Sequence, residues 1–190
     1  MKNKFNKDYF TDGIAKGISC YENYRWIPEL TYPMAHSFYN FLELRKNSNV
    51  LEYGCANGFL VKCLKDFGVN SFGVDISSYA IENSKEEIRE NIVLGNSNNL
   101  PWPDNYFDLV ISITTLHNLY NFDLFKSLKE IERVARFHKY ICVESYRNEV
   151  EKANLLYWQV TCEAFNTPIE WEWIFNQAGY TGDYSFIYFE

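Results

Sequence analysis

Short apolar runs alternate with amphipathic stretches from about residue 50 to the end of the chain, and this alternation constrains the fold more than any other feature. Strand-like runs fall at Val50–Tyr53, Ser71–Ile76, Ile92–Leu94, Phe107–Ile113, Tyr140–Val143 and Tyr184–Phe189. Between them lie helical patterns: Leu60–Phe67 stopped by Gly68, a helix capped by Ser77 or Ser78 and running to about Arg89, and one capped by Asp123 with Leu124, Leu128, Ile131 and Val134 on one face. Two more follow, one from Val150 to Ala164 and one opened by the capping box Thr167-Pro168-Ile169-Glu170 and closed by Gly179. Strands separated by helices imply right-handed βαβ units and a mainly parallel sheet. The expectation is a doubly wound, Rossmann-like α/β sheet of six strands with helices on both faces. An amphipathic helix built on Met34, Phe38, Phe41 and Leu42 precedes it.

At 190 residues, with 47% hydrophobic and 23% charged, the chain suits one globular domain over 1–190. A formal net charge of −7 denies it the basic footprint of a nucleic-acid binder. Five cysteines (Cys20, Cys55, Cys63, Cys142, Cys162) form no C-x-x-C and no Cys/His cluster, which points to reduced thiols and away from disulfides and zinc. The N-terminus has no apolar signal-like region and no run long enough to span a membrane. A cytoplasmic protein is expected.

Ligands of such sheets sit at the carboxyl ends of the strands, near the switch point beside the first strand. There the loop Glu52-Tyr53-Gly54-Cys55-Ala56-Asn57-Gly58 leads into a helix, with two glycines that permit a tight turn and close backbone approach. It lacks the G-x-G-x-x-G of dinucleotide binders. Asp75 ends the second strand 21 residues after Gly54, where a carboxylate accepts hydrogen bonds from a ribose diol.

The segments V-L-E-Y-G-C-A-N-G-F-L, G-V-D-I-S, L-G-N-S-N-N-L-P-W and Y-F-D-L-V-I-S, in this order, resemble the class I S-adenosylmethionine (SAM) dependent methyltransferases of the small-molecule, type 11-like kind. The resemblance covers about Val50 to Val143 and divides the chain into an N-terminal lid and helix (1–45), a SAM-binding core (46–145) and C-terminal helices with the last strand (146–190). It implies that Glu52, Gly54, Cys55, Ala56 and Gly58 line the methionine part of SAM. Asp75 would hold the ribose, Ile76 the adenine face, Asn96 and Ser97 the adenine edge, and Ile113 and Thr114 the methyl group. The product would be S-adenosylhomocysteine. Three positions depart from the family pattern: Ala56 stands for a glycine, Asn96 for an acid, and Arg136–Lys139 for a Pro-Gly-Gly turn.

Methyl transfer to a hydroxyl needs alignment and removal of a proton. His117, in the loop after the fourth strand, is the candidate base, and Glu144 after the fifth strand is the alternative. His36 and His138 read as structural. Tyr24 and Arg25 in the aromatic N-terminal patch, with Tyr146 and Arg147, are candidates for contact with the acceptor, a sugar or another small surface-glycan precursor. With Thr114, His117 and Asn118 where related enzymes place acids, no metal is expected. The alternatives are a nicotinamide-dependent oxidoreductase, sharing the sheet and Asp75, and a SAM-binding subunit without turnover. The family's sheet has seven strands and this chain supplies six. The last strand either lies beside the fifth, in a monomer, or is covered by a second copy.

Overall fold

The computed structural model describes residues 4–95 and 99–190. Six strands form one all-parallel sheet: β1 (Asn49–Tyr53), β2 (Asn70–Asp75), β3 (Ile92–Leu94), β4 (Phe107–Ile113), β5 (Ala135–Glu144) and β6 (Asp183–Ile187), in the order β3-β2-β1-β4-β5-β6. The order reverses between β1 and β4, and the crevice above that point is the place where such sheets bind ligands.

Alternate side chains on each strand enter two cores. On one face Leu51, Val110, Ile141 and Val143 pack with Leu124, Leu128 and Ile131 of helix α7 (Asn121–Val134) and Trp171 and Phe175 of α9 (Pro168–Ala178). On the other, Val50, Leu109 and Ile111 pack with Ala35 of α3 (Pro28–Phe41) and Leu60, Cys63 and Leu64 of α4 (Phe59–Asp66). Two short helices, α1 (Lys7–Thr11) and α2 (Gly13–Lys16), begin the chain, and their Tyr9 and Phe10 are buried with Ala80 in a separate aromatic cluster. Among the described residues no helix is long and apolar enough to cross a membrane. All five cysteines are free thiols.

The structure departs from the sequence reading in four places. The helix expected from Ser77 to Arg89 is two pieces, α5 (Ser78–Glu82) and α6 (Glu86–Arg89). At the break the Ser84 backbone amide (3.0 Å) and hydroxyl (2.6 Å) both donate to the Ile81 carbonyl, the acceptor a continuous helix would offer to Lys85. Asp123 lies in the first turn of α7, and the cap residue is Tyr120. Arg136–Lys139 is not a turn: β5 starts at Ala135, directly after α7, so His138 sits on a strand. The helix expected over 150–164 is α8 (Glu149–Trp158) and stops early, because the His117 carbonyl takes the amides of Glu163 and Ala164. Residues 159–164 thereby become a wall beside the β4 loop.

Candidate active site

Above the switch point lies a cavity of about 260 Å³. Its floor is the carboxyl ends of β1, β2 and β4, and its roof is the N-terminal segment. Of the residues the sequence singled out, Glu52, Gly54, Cys55, Ala56, Asp75, Ile76, Ile113, Thr114 and Tyr24 line it. Asn96 and Ser97 lie outside the described residues.

Two glycines of the first loop do different work. Gly54 has φ +78° and faces the cavity, where any Cβ would drive into the Thr115 side chain. Gly58 has φ +70° at the start of α4, and a Cβ there would meet the Ile88 and Ile92 side chains, so it serves packing rather than the cavity wall. Ala56 (φ +46°) and Thr114 (φ +49°) are also left-handed, a costly conformation for residues with a Cβ, and both line the cavity.

Asp75 accepts the Ala56 amide on Oδ2 (2.7 Å) and the Ser77 amide on Oδ1 (2.8 Å). With the Ile76 amide also bonded to it, the carboxylate keeps acceptor capacity for one ligand hydroxyl. Burial pushes its carboxyl above the usual range despite these bonds. Glu52 is pushed further, to about 8, by burial and then by the neighbouring Asp75, against a backbone hydrogen bond that lowers it. Its Oε2 is buried with no hydrogen-bond partner. An orphaned carboxyl oxygen, a glycine cradle and a hydroxyl-accepting aspartate match the ammonium, main chain and ribose of SAM, so the donor set fits that group.

Sequence reasoning missed most of the roof. Phe5, Tyr9, Phe10, Tyr21, Thr31 and Met34 line the cavity, with Phe59, Asn118 and Leu119 from the loops below. Tyr21 and Tyr24 pack edge to face (4.8 Å), and Tyr24 stacks on Phe59 (5.3 Å). Burial raises all three phenols, Tyr9 to about 12. The start of the roof is fastened on two sides. The Ser77 hydroxyl donates to the Phe5 carbonyl (2.6 Å), and Lys4 Nζ reaches the Thr161 carbonyl (2.9 Å) and Glu163 (2.8 Å). The excess of Tyr and Phe before residue 30 was the available signal.

Other candidates are not brought to the cavity. His117 and Glu144 are each 1% exposed and face one another through Nδ1 and Oε2, behind the wall rather than on it. Glu144 Oε1 also accepts from Gln159 (3.3 Å), and its carbonyl accepts the Trp171 indole (3.0 Å). Arg25 is exposed away from the lining. Arg147 is tied to Glu151 and Glu190 and lies over Tyr188, while Tyr146 is approached by Lys152.

A family model described as "methyltransferase domain" matches residues 51–143. Over 102 residues the chain is 32% identical to the sterol 4-C-methyltransferase strm-1 of Caenorhabditis elegans, covering 50% of this chain and 30% of that protein. Over 88 residues it is 35% identical to the mitochondrial arginine-hydroxylase NDUFAF5 of Rattus norvegicus, covering 45% and 25%. The matches thus span well under half the length of these curated relatives. A chain from the complex between the Haloferax volcanii Trm112 methyltransferase activator and a methyltransferase superposes with a TM-score of 0.66 at 21% identity, covering 90% of this chain and 74% of that one. A SAM-dependent methyltransferase from Archaeoglobus fulgidus gives 0.61 at 21%, covering 78% and 68%. Sheet order, glycine loop and Asp75 agree with that match: residues 51–143 are a methyltransferase domain, set in the fold of the class I S-adenosylmethionine-dependent enzymes.

Proposed function

We propose that the protein transfers a methyl group from SAM to a hydroxyl of a small acceptor, a sugar or a comparable glycan precursor. The observation that carries this reading is the cavity itself, in which Glu52 and Asp75 line the same space as an aromatic roof. SAM supplies an activated methyl on a sulfonium. Glu52, Gly54, Cys55 and Ala56 hold its methionine end, Asp75 and Ile76 its adenosine, and Ile113 and Thr114 flank the methyl, with Asn96 and Ser97 at the adenine edge.

The acceptor is held between the roof and the β4 loop. Asn118 Oδ1 already accepts from Thr161 Oγ1 (2.6 Å), which leaves the amide nitrogen to donate to an acceptor oxygen. Displacement at the methyl is in line, so alignment and exclusion of water by the roof are the main contributions of the chain. Burial of the His117–Glu144 pair favours a positioning role, holding the β4 loop, the end of β5 and the 159–164 wall together. Tyr24 belongs to the substrate side of the roof. Arg25, Tyr146 and Arg147 would reach an acceptor only if it extended beyond the cavity. Free thiols suit a reducing compartment such as the cytoplasm.

Calorimetric titration with SAM and S-adenosylhomocysteine, then a screen of sugars for acceptor-dependent release of S-adenosylhomocysteine, tests the reading. Micromolar SAM binding with such release is the expected result. Binding without release from any acceptor would favour the non-catalytic subunit. Oxidised acceptor without release would favour hydroxylation, the activity named for NDUFAF5.

A further inference from the structure

Once the residues assigned to SAM are set aside, the cavity wall that remains includes Tyr21, Tyr24, Met34, Asn118 and Leu119, with Tyr9, Phe10, Thr31 and Thr115. We infer that this acceptor end takes a compact, uncharged hydroxyl compound with one flat face and rejects phosphorylated or otherwise anionic acceptors. The inference rests on the methyltransferase reading and narrows its substrate class.

Charge is the first argument. Among the described residues the lining contains the carboxyls of Glu52 and Asp75 and no Lys, Arg or His. Nearby cations are engaged elsewhere: Lys4 by Glu163 and the Thr161 carbonyl, Arg147 by Glu151 and Glu190. Arg25 is exposed and off the lining. A phosphate placed here would lose its water and gain no cationic partner from the wall. The Asp75 carboxylate adds repulsion: for a phosphate placed ~6 Å from it, at an effective dielectric of about 20, this would amount to roughly 100-fold in affinity.

Shape is the second argument. Beside the part assigned to SAM, the cavity is walled by the rings of Tyr9, Phe10, Tyr21 and Tyr24 and by Met34 and Leu119. Tyr21 and Tyr24, which are half-buried, offer ring surface that packs equally well on an aromatic ring or on the CH face of a sugar. Polar atoms on this wall are hydroxyls and one amide, which bond to a neutral hydroxyl without the cost of burying a charge.

The test uses protein saturated with S-adenosylhomocysteine and two matched pairs of probes, phenol with phenyl phosphate and methyl glucoside with glucose 1-phosphate. Ligand-detected NMR and calorimetry read binding, and the same probes with SAM read turnover. At least one uncharged member is expected to bind, with its phosphorylated partner ~100-fold weaker or silent. Which pair responds separates an aromatic from a sugar acceptor. Thr31→Lys, which adds a cation to the wall, is expected to narrow the gap at least tenfold. Equal or tighter binding of the phosphorylated partners, or no binding of either uncharged probe, overturns the inference. Failure to bind S-adenosylhomocysteine at all would instead remove the methyltransferase reading.

Discussion

Glu52 is the residue on which the chemistry of the ligand-free site turns. Its carboxyl titrates near 8 when buried, against an ordinary 4.5, so between those values the native state holds a proton that the unfolded chain has lost. The sign follows: stability is full below about pH 4.5 and declines as pH rises toward 8, by up to roughly 4 kcal/mol. Urea titrations of ligand-free protein from pH 4.5 to 8.5 are expected to show this slope, and Glu52→Gln is expected to flatten it. An ammonium group brought to Oε2 would favour the ionised carboxyl, so SAM binding at pH 7 is expected to release close to one proton. Calorimetry in buffers of different ionisation enthalpy reads that release, and its persistence in Glu52→Gln would take Glu52 out of the site. Asp75 has a simpler test. Loss of charge-assisted bonds worth roughly 1.5–3 kcal/mol each should weaken SAM binding at least ~10-fold in Asp75→Ala, with unchanged affinity as the adverse result. Asp75 was legible in the sequence because it closes a strand at the ligand edge, and Glu52 through the resemblance of its loop to the methyltransferase motif. The orphaned oxygen was not, because it depends on what α4 and the roof bury.

At the level of elements, the strand ends and glycine loop follow from local pattern, whereas the roof and wall follow from contacts distant in sequence. Helix α8 ends at Trp158 although the apolar spacing continues to Ala164, because the His117 carbonyl captures the backbone of residues 163 and 164. His117 itself read as a base from its place after β4, and the structure buries it against Glu144, off the cavity lining. Removing one member of a buried pair leaves the other uncompensated, at about 3–5 kcal/mol. His117→Ala is therefore expected to lower Tm on the order of 10 °C while SAM affinity stays within a few-fold. A variant with wild-type Tm and abolished turnover would restore His117 as base. The roof invites a different measurement. Its polar ties to the rest of the fold include Lys4 and the bond from Ser77 to Phe5, beside the aromatic packing of Phe10 on Tyr79 and Tyr24 on Phe59. Limited proteolysis is expected to cut residues 4–24 in free protein, faster in Lys4→Ala, and slowly once S-adenosylhomocysteine is bound. Identical cleavage in all three samples would mean that the segment does not open.

Over the whole molecule, the six-stranded sheet was readable because each strand is followed by its own helical pattern, and the capping box at Thr167 with Gly179 fixes where the last strand can begin. Parallel pairing of β6 to β5, from Tyr140–Asp183 to Glu144–Ile187, follows from α9 acting as a crossover. This leaves β6 as an edge strand with Tyr184, Phe186 and Ile187 half-covered, the kind of edge that invites pairing with a second copy. Three features oppose that pairing. Phe175 packs on Tyr184 at 5.0 Å from α9. Asn154 of α8 donates to the Phe189 carbonyl (3.0 Å), and Arg147 lies over Tyr188 and pairs with Glu190. The tail after the strand is thus held against α8, and a free run of only five residues is a short template. Light scattering is expected to give the 22.5 kDa mass of one chain across a 100-fold range of concentration. A mass that doubles as concentration rises, and returns to one chain in Phe186→Lys, would show that β6 is an interface and that the tail contacts give way to it.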